Sequence, residues 1–241
     1  MIEICCGSYQ DGIAAYKGGA KRIELNSALS VGGLTPSLAS LIRLKKETDL
    51  KIICMIRCRA AGFCYEKEDV NVMLEDAKLM LENGADGIAF GFLNEDYTLN
   101  CKDTKSMVDL IHRYHGEAVF HRAFDVVKDP FVAVERLIDL GVDRILTSGQ
   151  KSKAIEGKEL IKQLQSRYAS QIEILAGSGI NVSNAKELME YTGISQVHSS
   201  CKGYRRDETT RSSSVSYSYL SGEHEMDYDM VDENLVKKLV N

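Results

Sequence analysis

Three groups that are costly to desolvate crowd into the six residues FHRAFD: His121, Arg122 and Asp125. An imidazole suits proton transfer near neutral pH, and a carboxylate beside it suits orientation or acceptance. Similar groups recur in other apolar runs: Glu3 in IEICC, Glu24 and Asn26 in RIELN, and Arg57 and Arg59 in MIRCR. Paired arginines are natural clamps for carboxylate or phosphate. Cys5 and Cys6 offer soft thiolates of the kind that favour Cu(I). Being adjacent in a strand, however, they point to opposite faces and cannot easily share one ion. Small and hydroxyl residues gather in three further stretches. These are TSGQK with Thr147, AGSGI with Gly177, Ser178 and Gly179, and VHSS with His198, Ser199 and Ser200. Backbone N–H groups freed by glycine, together with hydroxyls, can hold an anion, although turns use the same residues.

Elements must bring these groups together. Strand-like runs begin at Ile2, Arg22, Lys51, Gly87, Glu117, Arg144, Ile172 and Gln196, with helical patterns between them. Eight strand–helix units in 241 residues predict an α/β protein, a TIM (β/α)8 barrel. A repeat supports closure: GGAKRIEL, NGADGIAF, LGVDRILT and TGISQVHS each run from a helix-ending glycine into a strand. Glycines 19, 84, 141 and 193 recur at spacings of 65, 57 and 52 residues, two units each, which reads as four βαβα quarters. The two prolines read as helix starts, Pro36 after Thr35 and Pro130 after Asp129. Residues 1–241 are expected to form one barrel domain. In it a polar Ser/Tyr-rich loop, about 202–229, precedes a C-terminal helix.

Alternation along the strands sorts the polar residues. Glu3 and Cys5 face the interior from strand one, and Arg22, Glu24 and Asn26 from strand two. Strand three contributes Arg57 and Arg59. If EAVFHRAFD is one strand, His121 and Asp125 share that interior, while Phe120, Arg122 and Phe124 face the helices. Arg122 must then reach a carboxylate or the rim. The inward charges need one another or a bound ligand, and both arrangements fit the pattern. As an enzyme site, His121 would act as acid or base, Arg57 and Arg59 as anion clamps, and Glu24 or Asp125 as partner. Most charged groups lie late in their strands, where barrels place their chemistry.

Composition narrows the partners. Net charge is −5, which disfavours nucleic acid or an anionic membrane. There is no membrane-spanning apolar run, no signal-peptide pattern and no nucleotide-cofactor glycine fingerprint. Seven cysteines without a CxxC pair read as reduced cytosolic thiols rather than a zinc site.

The stretches EICCGS, RIELN, GGLTPS, IRCRAAGFCY, FHRAFD, LTSGQK, AGSGI and VHSS, in this order, resemble the CutC copper homeostasis family from Ile2 to about Ser200. The resemblance implies a TIM-barrel-like cytoplasmic protein tied to copper tolerance, self-associating as a homodimer or higher homo-oligomer. It also implies that any copper site would include the matching Cys5 and Cys6. Two functions follow: Cu(I) handling through thiols, or an enzyme acting on a small phosphorylated or carboxylated molecule. The Ser/Tyr-rich tail lies outside the resemblance.

Overall fold

The computed structural model describes residues 1–241. Eight parallel strands close in sequence order into a barrel: β1 (Ile2–Cys6), β2 (Arg22–Leu25), β3 (Lys51–Met55), β4 (Gly87–Phe90), β5 (Glu117–Phe120), β6 (Arg144–Thr147), β7 (Glu173–Gly177) and β8 (Val197–Ser199). Seven helices connect them on the outside: α1 (Tyr9–Lys17), α2 (Leu38–Glu47), α3 (Lys67–Glu82), α4 (Cys101–Arg113), α5 (Pro130–Leu140), α6 (Lys158–Tyr168) and α7 (Ala185–Thr192). The barrel is therefore the (β/α)8 fold that the strand count predicts. All four repeat glycines, 19, 84, 141 and 193, have positive φ in the turns before β2, β4, β6 and β8. A left-handed residue ends each helix and turns the chain into the next strand.

The apolar core lies mainly between strands and helices, where Ile4, Ile23, Ile52, Ile88, Phe120 and Ile145 meet Leu41, Met73, Ile111 and Val134. Inside the barrel, on the β3–β5 side, a smaller apolar layer of Ile53, Met55, Ala89 and Val119 lies between two polar ends, which Glu3 and His198 join on the β1–β8 side. Below it, at the N-terminal ends of the strands, Arg22 pairs with Glu3 at 2.6 Å, and Arg144 reaches Glu117 and Glu173 at 2.8 Å each. Above it lies the barrel mouth.

Two local expectations shift. α2 starts at Leu38 rather than at Pro36, and the Thr35 hydroxyl accepts from the Arg57 N–H instead of capping the helix. At α5 the reading holds: Asp129 caps the helix by accepting from the N–H groups of Phe131 and Val132. The 202–229 segment is not simply a loop. Its ends pair as an antiparallel ribbon, β9 (Lys202–Arg206) with β10 (Asp227–Val231), which leads into α8 (Glu233–Val240). Asp11 fastens the ribbon to α1 by accepting from the Val231 N–H at 2.9 Å.

Candidate functional site

At the C-terminal ends of the strands a cavity of about 330 Å³ opens. Its polar lining includes Cys5, Glu24, Asn26, Arg57, His121, Arg122, His198 and Lys202, and its apolar lining Leu29, Met55, Phe63, Leu146 and Ile180. Ser178, Gly179, Ser199, Ser200 and Asp229 complete the wall.

One side of the cavity is built by three neighbouring strands. Parallel pairing sets Cys5 of β1 beside Glu24 of β2, and Glu3 of β1 beside His198 of β8. Alternation then turns these side chains into the barrel. One ligand atom each from Cys5, Glu24 and His198 lies within 4.8 Å of the others. His198 is held from below: its Nδ1 lies 2.8 Å from Glu3 Oε1, while Nε2 faces Glu24 Oε2 at 3.9 Å. Asn26 donates to Glu24 Oε2 at 2.9 Å. Gly177 beside His198 gives the ring and Leu146 their room, since a Cβ there would stand 2.7 Å from Leu146 Cδ1 and 3.4 Å from His198 Cβ.

The electrostatics of this side are those of a shared charge. Burial pushes Glu3 up, but the hydrogen bond and charge of His198, with Arg22 and Arg144, outweigh it and hold the carboxyl at about 2. Burial disfavours the His198 imidazolium, yet Glu24, Cys5 and Glu3 together raise it well above its ordinary value. Burial, helped by the charge of Glu3, keeps Glu24 above the usual carboxylate range despite His198 and Asn26. Burial also raises the Cys5 thiol. A thiol, an imidazole and a carboxylate converging at the floor of a cavity are donor types that copper or zinc ions accept. The Glu3–His198 bond is of the kind by which an outer carboxylate orients a histidine that holds a metal.

The opposite side carries His121 and Arg57. The expected strand ends early: β5 stops at Phe120, and His121 caps a short 3-10 turn, Arg122–Val126, by accepting from the Ala123 N–H through Nδ1. That bond puts the proton of the neutral ring on Nε2. Burial, and then the charge of Arg57, depress His121 to about 3, which favours the neutral ring near pH 7. Its Nε2 is buried without a partner. A neutral ring in this tautomer can donate through Nε2. Gly91 makes the space, because a Cβ there would stand 2.6 Å from the imidazole. Arg57 donates to the carbonyls of Val31, Gly33 and Ala61, and its Nε is also buried without a partner.

The turn at residue 122 removes Asp125 from the interior. Its carboxylate accepts from the Thr147 hydroxyl at 2.6 Å, the Ser148 N–H at 2.9 Å and the Ser148 hydroxyl at 2.9 Å, and pairs with Arg122 Nε at 2.7 Å. The anion that the TSGQ loop holds is thus the protein's own Asp125, and Thr147 is spent on it. Arg122 finds the carboxylate it needed, but it also lines the cavity instead of facing the helices.

Other expected residues move out. Arg59 turns from the cavity to Asp69 and to the face of Tyr65, 4.7 Å from the ring centroid. Cys6 sits in the core between barrel and helices, with burial pushing its thiol well up, so it cannot share an ion with Cys5. Glu3 lies beneath the cavity and acts through His198 and Arg22. Gly177 packs rather than lines. Ser178 and Ser199 spend their hydroxyls on the carbonyls of Ser152 and Ile180. Sequence reasoning missed Lys202 and Asp229, an ion pair at 2.8 Å on the rim, because ribbon pairing and not any local pattern brings them there.

These features define a (β/α)8 barrel protein with a site at the usual end of its strands. Residues 1–203 match the model of the CutC family, and the chain belongs to that family. It is 47% identical over 216 residues to a family protein CutC of Treponema denticola, covering 90% of this chain and 87% of that one. It is 37% identical over 240 residues to the mouse copper homeostasis protein cutC homolog, covering 99% and 88%. A crystal structure of CutC from Streptococcus agalactiae superposes with a TM-score of 0.78 at 28% identity, over 83% of this chain and 98% of that one. No helix is long and apolar enough to cross a membrane.

Proposed function

We propose that this chain is a copper-handling protein, with Cu(I) as its cargo at Cys5, His198 and Glu24. The observation that carries the reading is the convergence of those three donors on one cavity floor, with His198 backed by Glu3. The thiolate and imidazole are the soft donors that Cu(I) selects, and Glu24 is an auxiliary oxygen. Names of relatives that refer to copper homeostasis agree with it. Seven free thiols suit a reducing compartment, and the proposal is for a cytoplasmic protein that self-associates. The test is a competition titration with a chromogenic Cu(I) chelator under anaerobic conditions. Cys5→Ser and His198→Gln should each weaken Cu(I) binding by at least about tenfold, the low end of what loss of ligand support costs. Cys6→Ser should leave it unchanged. Equal affinity of Cys5→Ser and the unmodified protein would sink the site.

A second reading, a small organic anion bound at the mouth, is favoured by Arg57. This guanidinium is buried, lines the cavity and has carbonyls but no carboxylate as partners. Three dipoles spread its charge without cancelling it.

A further inference from the structure

We infer that the mouth binds a small oxo acid, an anion carrying a neutral ketone or aldehyde oxygen, with its charge answered by Arg57 and its carbonyl oxygen by the Nε2–H of His121. The inference rests on the second reading above and adds the class of ligand.

Two orphaned donors of different kind belong to residues that line the same cavity. Arg57, with 4% of its surface exposed, is a buried cation whose Nε has no acceptor. His121, with 3% exposed, presents an Nε2–H that has none either. Both pack on one aromatic ring: Arg57 Cζ stands 5.2 Å from the Phe63 centroid, and the His121 and Phe63 centroids are 5.0 Å apart. Buried donors are rarely left open in this way, and two beside one cavity call for acceptor atoms from outside the chain.

The two donors ask for different oxygens. A guanidinium matches a carboxylate or phosphate. An imidazole fixed as the neutral Nε2–H tautomer by the Ala123 N–H, and kept neutral by burial and by Arg57, matches an uncharged carbonyl, which it can polarise without transferring a proton. Arg122 and Lys202 do not compete for the anion on equal terms, because each already has a carboxylate, Asp125 and Asp229. In the same cavity, Met55, Leu146 and Phe63 offer an apolar wall for a short carbon skeleton. A cavity of about 330 Å³ lies at the small end of ligand sites, so the ligand is metabolite-sized.

Pyruvate and propionate separate the two parts of the claim, since they share charge and size and differ in the ketone oxygen. Inorganic phosphate reports on the anion alone. Each is titrated into the full-length protein at constant ionic strength, with ¹H–¹⁵N spectra of the histidine side chains as readout. Pyruvate should bind about tenfold more tightly than propionate, the scale of one hydrogen bond to a buried donor. It should also move the His121 Nε2–H resonance, leaving the ring neutral. His121→Asn, which keeps a capping acceptor, should erase the preference for pyruvate while propionate binding persists. Equal binding of pyruvate and propionate would overturn the oxo acid assignment and leave the anion reading standing. No response to any of the three probes at high millimolar concentration would overturn both. The spectra of the unmodified protein decide between these outcomes even if a variant fails to fold.

Discussion

The barrel holds two charged layers, and they are built differently. At the closed end, Glu3, Arg22, Arg144, Glu117 and Glu173 interlock, and each charge has an opposite charge within 4 Å. At the mouth, Asp125 is equally complete, with two hydroxyls, a backbone N–H and Arg122 around it. Arg57 and His121, a short way off, are not: each keeps an open N–H. The chain therefore answers charge with opposite charge in the closed-end network. The difference lies in charge: each ionised group of the closed end has an opposite charge beside it, whereas Arg57 at the cavity has carbonyls alone, which is what a site for an anion requires.

The strongest way to break the comparison is to remove a charge from each layer. Glu3→Gln leaves Arg22 without its carboxylate inside the barrel, and stability should fall by about 3–5 kcal/mol, the usual cost of halving a buried pair. It also frees the His198 ring, so Cu(I) affinity should drop by about ten- to a hundredfold in the protein that remains folded. Arg57→Met removes a cation that has no anion to strand. Three carbonyls lose a donor, so the expected cost is smaller, about 1–3 kcal/mol. Urea denaturation of the two variants ranks them. If Arg57→Met proves the more damaging, Arg57 is a structural brace and the contrast between the layers dissolves.

Acid should expose the same difference. His121 is depressed from an ordinary 6.5 to about 3 by burial and by Arg57, so between those values the unfolded chain binds a proton that the folded chain refuses. Stability should accordingly fall as pH drops below 6.5, by up to about 1.4 kcal/mol per pH unit. His198, raised by its glutamates despite burial, has the opposite sign. Its contribution is already complete below its unfolded value and adds no slope in that window. Glu3, held at about 2 by His198, Arg22 and Arg144 against burial, adds to the loss only below about 4.5. Denaturation midpoints measured from pH 7 to 5 should therefore decline in the unmodified protein relative to those of His121→Asn. Parallel slopes would remove His121 as a buried neutral group.

Much of this was legible from residues alone, and the limits have physical causes. The positive-φ glycines at 19, 84, 141 and 193 announce the turns, and alternation correctly sends Glu3, Cys5, Glu24 and Asn26 inward, because strands β1 and β2 are regular. FHRAFD misleads because Phe, His and Arg suit a strand as well as a turn. What ends β5 is the side-chain cap of His121 on Ala123, which hydrophobic alternation does not register. His198 is legible only as part of the VHSS stretch, since its pairing depends on Glu3, 195 positions away, and barrel closure alone supplies that neighbour. Arg59 is one residue pair beyond Arg57, yet β3 ends at Met55 and the period of two no longer applies to either.

The smallest expected effect separates the adjacent thiols. Cys6 lies fully buried in the apolar core, its Sγ 3.6 Å from the Ile4 carbonyl, so Cys6→Ser places a hydroxyl among hydrocarbon and should cost about 1–2 kcal/mol. Cys5 is partly exposed at the cavity floor, where a hydroxyl finds Glu24 and Asn26 in place of the thiol. Cys5→Ser should therefore change stability by no more than about 0.5 kcal/mol. Copper should follow the reverse order, lost in Cys5→Ser and kept in Cys6→Ser. Thermal melts and Cu(I) competition on the same two preparations give four numbers, and a correlation in place of this inversion would mean that copper follows fold integrity and not the thiol at the mouth.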